Sequence, residues 1–375
     1  MIVDPMPAGQ SVQFELFLSI GSKLRSEFDV TLASVYLNDN RIDAFSKQGL
    51  HSLCAGRNAL RLDSLLSLLG KENESMLWLE SWLREGMFSR NSREFKKVLE
   101  GKEFDYVVNA TNTVPIESDL WWTQGPPLMT TLDEMASSNF LAWMASRLGR
   151  RAIESIDSKL VSEMSRVSGI TVANSRYSER IYKLMGCNIS GVIFNTKDFS
   201  SFKPSTNSPE RDYVLTYFGK ETDFEPILEL ASRGVRIVAF GSKLPLGMNL
   251  GQLSKLVDFR GKVTHEELVG LYSNALFTLF PFTNEPFGYI PIESMACGTP
   301  VLSYGKQGPS ETILDQRTGW LVESQKDIER KAVELWEAGS VDGFPFRCME
   351  RAAKFDPSYS ARQLANVLTK GGTRD

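Results

Sequence analysis

The chain has 375 residues, 42% of them hydrophobic and 23% charged, with a formal net charge of -4. That is the composition of a globular protein too long for one ordinary core, so two domains are expected. The mild acidic excess argues against a general nucleic-acid binder. The four scattered cysteines (Cys54, Cys187, Cys297, Cys348) and two histidines (His51, His265) argue against a disulfide framework and a metal centre.

Ile2-Val3, the turn from Pro5 to Ser11, an apolar-periodic helix over 12–28 and the strand 29–35 make a β–loop–α–β opening. Asp105–Asn109 is a short strand, 138–167 a long helical stretch, and 170–175 a strand running into a helix cap. Val192–Phe194 is a further strand. The Ser/Pro/Asn-rich stretch 196–211 is read as interdomain linker. The alternation then restarts: strand 213–218, helix 224–233, strand 235–240, strand 257–260, helix 264–274, strand 276–281, a helix from about 290, and strand 301–303. Alternating short apolar strands and helices predict an α/β fold of two Rossmann-like, doubly wound domains facing across a cleft. The boundaries are 1–200, a linker proper at 201–211, 212–357, and a C-terminal helix at 358–375 expected to pack back on the first domain. No apolar run approaches the roughly eighteen residues of a membrane span. The N-terminus has no basic stretch leading into an apolar core, so a cytoplasmic location is expected. Peripheral contact at the cytoplasmic face of a membrane is left open, with Arg147, Arg150 and Arg151 as the basic residues considered for it. A solvated helix face is the plainer account of them.

Asn284 to Glu293, followed by Ser294-Met295-Ala296-Cys297-Gly298-Thr299-Pro300-Val301, carries the most chemistry. Two carboxylates, Glu285 and Glu293, flank a Gly-containing turn and the first turn of a helix, where Pro291 is tolerated because N–H groups there have no intrahelical partner. Free backbone donors and two acceptors at the end of a strand–helix unit suit a polyhydroxylated, phosphate-bearing ligand. A glycosidase pair fits poorly. Eight positions at ~1.5 Å each put the carboxylates about 12 Å apart if helical, beyond the roughly 5–9.5 Å such chemistry needs.

From about Val257 to Val322 the chain resembles the retaining GT-B glycosyltransferases of family 4. The resemblance runs through Gly261-Lys262-Val263-Thr264-His265-Glu266-Glu267-Leu268, Leu271–Ala275, Leu279-Phe280-Pro281, the Glu285/Glu293 pair, the Met-Ala-Cys-Gly-Thr-Pro-Val run, Ser310-Glu311 and Thr318–Val322. It is fainter at Val172–Ser178 and at Asp198-x-x-x-Phe202. It implies a GT-B glycosyltransferase that moves a hexose-type sugar from a UDP- or GDP-linked donor to a glycan, lipid-linked or small-molecule acceptor. Configuration would be retained, with no metal and no cofactor beyond the nucleotide sugar as co-substrate. The first domain would bind the acceptor and the second the donor.

By position, the resemblance gives Glu285 to the donor sugar's hydroxyls and Glu293 to the ribose. Backbone N–H groups near Phe287, Gly288 and Tyr289 go to sugar and phosphate. Phe259, Arg260 and Gly261 go to the base pocket. Lys220, after Gly219, would be the catalytic cation on the diphosphate, whose charge grows as the glycosidic bond breaks. Relatives carry a second cation there. Here the next segment is acidic, and Lys243 is the candidate to replace it. The relatives' Gly-Gly before the Ser/Pro-Glu is here Gln307-Gly308. On the acceptor side Gln124 stands where many relatives have histidine, and glutamine cannot act as a general base. Gly9 and Gln10 are an ordinary βα turn or a phosphate loop, and Trp122 is core packing or a sugar platform. A non-catalytic nucleotide-sugar-binding relative acting as scaffold or regulator is the alternative.

Overall fold

The computed structural model describes residues 1–6, 12–55, 74–135, 140–205, 209–219, 222–245, 249–282, 285 and 287–371. The chain divides into two compact units: Met1–Leu132 with Met144–Lys197 and Pro357–Asp375, and Asp133–Trp143 with Asp198–Asp356.

In the first unit, β1 (Ile2–Val3), β2 (Thr31–Ser34), β3 (His51–Cys54), β4 (Val108–Ala110), β5 (Ser118–Thr123), β6 (Ser168–Ala173) and β7 (Gly191–Val192) form one parallel sheet in the order β3-β2-β1-β4-β5-β6-β7. Successive residues point to opposite faces, and both faces are covered. Val3, Leu32, Leu120, Trp122 and Val172 enter one core, while Ile2 and Ala33, and Trp121 with Ala173, enter cores on the other side. The helix Pro357–Gly371 returns to this unit. Its Ala361, Leu364, Ala365 and Leu368 pack in the same core as Phe14, Phe17 and Ile20 of the helix Val12–Leu24.

In the second unit, β8 (Val214–Phe218), β9 (Ile237–Gly241), β10 (Asp258–Gly261), β11 (Phe277–Phe280), β12 (Val301–Tyr304) and β13 (Gly319–Val322) are likewise all parallel, in the order β10-β9-β8-β11-β12-β13. Val214, Phe218, Ile237, Ala239, Phe277, Leu279 and Leu302 fill one face against Ile328, Ala332 and Leu335 of the helix Gln325–Ala338. On the other face the helix Tyr289–Ala296 is tied to β11 by a 2.7 Å bond between the Thr278 and Ser294 hydroxyls.

Three local readings change. The long helical stretch 138–167 is two helices, Phe140–Leu148 and Arg150–Val167, parted at Gly149. The Ser/Pro-rich stretch after Asp198 is fastened to the second unit. Its Phe199 and Phe202 are buried, Phe202 meeting His265 edge-on at 4.7 Å, and the Ser205 N–H donates to Ser273 Oγ at 3.0 Å. Two phenylalanines in a polar segment are enough to anchor it. The segment Ser118–Thr123, which the sequence pattern left unassigned, is a strand inside the sheet. No helix among the described residues is long and apolar enough to cross a membrane.

Candidate functional site

A doubly wound sheet offers a ligand crevice where its strand order reverses, because the loops on either side leave the carboxyl edge in opposite directions. In the second unit that point lies between β8 and β11. The two loops are laced together there. Thr222 bridges to Phe282, and the Asp223 N–H donates to Pro281 O at 2.9 Å. Thr222 Oγ1 accepts from the Gly219 N–H at 2.8 Å and donates to Tyr217 O at 3.0 Å. Tyr304, at the end of β12, donates its hydroxyl to Asp223 Oδ2 at 3.1 Å. Since every strand is parallel, Gly261 ends β10 and Gly219, Lys243, Glu285 and Gln307 follow strand ends on this one edge.

Glu285 opens the loop before the helix Tyr289–Ala296. Its Oε1 accepts from the N–H groups of Phe287 (3.2 Å) and Gly288 (2.9 Å), so the carboxylate fixes the turn that leads into the helix. These are two of the donors that sequence reasoning directed at sugar and phosphate. Gly288 has φ +93°, the left-handed conformation that favours glycine. Phe287 is buried, its ring 5.0 Å from Tyr289 and 5.8 Å from Phe355. It therefore contributes backbone, not a side-chain contact, to the edge.

A second segment locks onto this turn. The Glu285 N–H donates to Gln307 Oε1 at 2.6 Å, and the Gly308 N–H donates to Glu285 O at 2.9 Å. A Cβ at Gly308 would stand 2.3 Å from both N and Cα of Phe287, so only glycine fits. Gln307 has φ +52°, a conformation costing a non-glycine residue about 1–2 kcal/mol.

Glu293 lies one turn into the helix, 6% exposed, and its Oε2 accepts from the Tyr272 hydroxyl at 3.1 Å. Tyr272 is fully buried, and burial together with the Glu293 charge drives its pKa well up, so it stays a proton donor. Thr299 Oγ1 donates to Tyr272 O at 2.5 Å, and Ser294 Oγ bonds Thr299 O at 2.9 Å. Burial pushes the neighbouring Cys297 thiol up to about 12, which leaves it an inert core group.

Residues 249–341 match the sequence profile of glycosyl transferases group 1. A D-inositol 3-phosphate glycosyltransferase of Mycobacteroides abscessus is 31% identical over 144 residues, 35% of this chain and 32% of that one. A glycogen synthase of Mycobacterium tuberculosis is 24% identical over 212 residues, 52% of this chain and 50% of that one. The match thus spans about a third of the first relative's length and a half of the second's. Among solved structures, Anabaena HepE in complex with UDP-glucose covers 98% of this chain and 99% of its own at TM-score 0.58 and 16% identity. Sucrose-phosphate synthase from Thermosynechococcus elongatus covers 98% and 95% at TM-score 0.60 and 15% identity. WaaG, a glycosyltransferase involved in lipopolysaccharide biosynthesis, covers 98% of each at TM-score 0.58 and 15% identity. The fold is GT-B.

Within this GT-B chain the remaining candidates separate. Phe259 stacks on Phe218 at 5.4 Å and packs against the core, while exposed Arg260 is held by Asp258 through two bonds of 2.7 and 2.8 Å. At Gly261, with φ +67°, an added Cβ would meet nothing within 4 Å. Lys243 is exposed, its backbone N–H on Phe218 O at 3.1 Å, and Lys306 after β12 shares the same edge with its ammonium 5.6 Å from the Tyr304 ring. Lys220, Gly9 and Gln10 lie outside the described residues. Trp122 is not a sugar platform: it is fully buried, donates from Nε1 to Ile193 O at 2.9 Å and meets Phe17 edge-on. Gln124 follows β5, its N–H on Asn112 Oδ1 at 3.4 Å.

In the second unit sequence reasoning assigned no role to Thr222 or Tyr272, and showed Gln307 only as a departure from the relatives' Gly-Gly. In the first it missed a buried polar cluster where strand order reverses between β1 and β4. There Thr113 Oγ1 donates to Asp4 Oδ1 (3.4 Å) and shares a 2.8 Å bond with Ser81 Oγ, while Asn91 Nδ2 reaches Thr113 O at 3.1 Å. Asp4 directly after the first strand was the available signal. Among the described residues no three His, Cys, Asp or Glu side chains are grouped to hold a metal ion.

Proposed function

We propose that the chain is a glycosyltransferase that moves a hexose-type sugar from a nucleoside-diphosphate donor to an acceptor with retention of configuration and without a metal. The observation that carries this reading is the second unit's reversal edge: Glu285 and the Glu293–Tyr272 pair lie inside the stretch that matches group 1 transferases, and Lys243 and Lys306 follow parallel strands on the same edge. Glu293 Oε groups would accept from the ribose hydroxyls, with Tyr272 holding the carboxylate in place. The Glu285 carboxylate would accept from sugar hydroxyls while its turn presents the start of the helix Tyr289–Ala296, whose positive end suits the diphosphate.

As the glycosidic bond lengthens, negative charge builds on the leaving phosphate. A cation held there lowers the barrier because it is worth more in the transition state than in the bound donor. Lys220 is the first candidate, and Lys243 follows a neighbouring strand end on the same edge. With Gln124 on the acceptor side unable to take a proton, the reading favours attack on the face of the departing phosphate, whose oxygen accepts the acceptor's proton. The first unit would hold the acceptor. HepE is described with UDP-glucose, which makes uracil the first base to try.

The test is nucleotide release from UDP-, GDP- and ADP-glucose by the wild type and by Glu285→Gln. Release from one donor, reduced at least tenfold by the substitution, is expected. Binding of a donor with no release would favour a non-catalytic nucleotide-sugar-binding protein, and neither binding nor release would end the proposal.

A further inference from the structure

We infer that Gln307 is the positioning residue of Glu285. This inference rests on the reading of Glu285 as the sugar-contacting carboxylate. Glu285 sits on a loop, and its own carboxylate is turned inward to the Phe287 and Gly288 N–H groups. Its backbone therefore decides where the carboxylate stands. That backbone is gripped at both polar atoms by one dipeptide: Gln307 Oε1 takes the Glu285 N–H at 2.6 Å, and the Gly308 N–H gives to Glu285 O at 2.9 Å.

Gln307 holds this grip from a left-handed backbone, φ +52°, where glycine would be at ease. A residue in that conformation is unfavourable for the loop unless its side chain returns something. The only side-chain acceptor that Gln307 offers is the amide oxygen directed at Glu285. Ser310 Oγ, donating to Gln307 O at 2.6 Å, and the N–H groups of Glu311 and Thr312 on Gly308 O at 2.8 and 3.1 Å anchor the dipeptide from below. The segment after β12 is thus a rigid bracket for the segment after β11. The sugar carboxylate is set by a side chain on the neighbouring strand's loop, not by its own sequence neighbours alone.

Three variants separate this role from simple loop stability. Gln307→Gly removes the acceptor and relieves the backbone. Gln307→Met keeps the bulk without an acceptor, and Gln307→Glu restores an acceptor oxygen. The readouts are melting temperature, calorimetric affinity for the free nucleoside diphosphate, and nucleotide release from whichever of UDP-, GDP- or ADP-glucose the wild type turns over fastest. Gln307→Gly is expected to melt at or above the wild-type temperature and to bind the free diphosphate unchanged, yet to release nucleotide about tenfold more slowly. Gln307→Met should slow release as much, and Gln307→Glu should recover part of the rate. An unchanged rate in Gln307→Gly, or a loss mirrored in diphosphate affinity, overturns the positioning role in an active protein. A wild type that turns over no nucleotide sugar overturns the functional reading and the positioning role with it.

Discussion

Trp122 donates to Ile193 O from a fully buried ring, so its loss should appear as stability. Trp122→Phe is expected to destabilise by about 1–3 kcal/mol, from the orphaned carbonyl and the lost ring volume, with nucleotide release per folded molecule unchanged. Chemical denaturation alongside the release assay checks this, and a specific loss of rate at full stability would restore a sugar contact. Glu85 makes a second residue-scale test. It is 1% exposed, accepts from the Ser92 N–H at 2.9 Å and Ser92 Oγ at 2.6 Å, and burial raises its pKa despite those bonds. A carboxyl raised in the folded state contributes stability that is complete below its ordinary 4.5 and is lost as pH rises through the higher folded value. Glu85→Gln should therefore gain on the wild type in unfolding experiments as pH climbs from about 4.5 toward neutrality. A difference that does not vary with pH would contradict the account. At this scale Glu285 and Glu293 were legible because an ordered motif surrounds them. Gln307 was not, since its role depends on a positive φ and a contact 22 positions away in sequence. Tyr272 reads as one more buried aromatic until its hydroxyl is seen on Glu293.

At the scale of elements, the helix Pro357–Gly371 completes a core begun by the first helix of the chain. Leu364 is fully buried there, and Ser360 Oγ donates to Phe194 O at 2.6 Å. Leu364→Ala is expected to destabilise the first unit by about 2–5 kcal/mol while leaving nucleoside-diphosphate binding intact. Loss of binding in still-folded protein would count against a donor site confined to the second unit. Five of the second unit's six strands could be read from sequence, most of them as short apolar runs, while β13 was not assigned as a strand. The same unit's helix His265–Asn274 begins at a reciprocal cap formed by Thr264 and Glu267. β5 escaped because Ser118-Asp119-Leu120-Trp121-Trp122-Thr123 is buried on both faces and mixes polar with bulky residues, so no alternation marks it. The stretch 138–167 read as one helix because a single Gly149 interrupts an otherwise helical pattern.

At the scale of the whole molecule, two parallel sheets, each reversing its strand order beside its first strand, make a GT-B fold along 98% of the chain. Composition and alternation were enough to predict two doubly wound units, because parallel sheets require buried strands and intervening helices. What lay beyond the sequence is how the loops at the second reversal edge hold one another: Thr222 to Phe282, Asp223 to Tyr304, Glu285 to Gln307. The central claim is that this edge binds the donor's nucleotide. Calorimetric titration of the wild type and of Glu293→Gln with UDP, GDP and ADP tests it most directly. The account predicts one site per chain for at least one of these diphosphates, weakened about tenfold when a carboxylate that accepts from the ribose hydroxyls becomes an amide. No binding of any diphosphate, or binding that Glu293→Gln leaves unchanged, would contradict it.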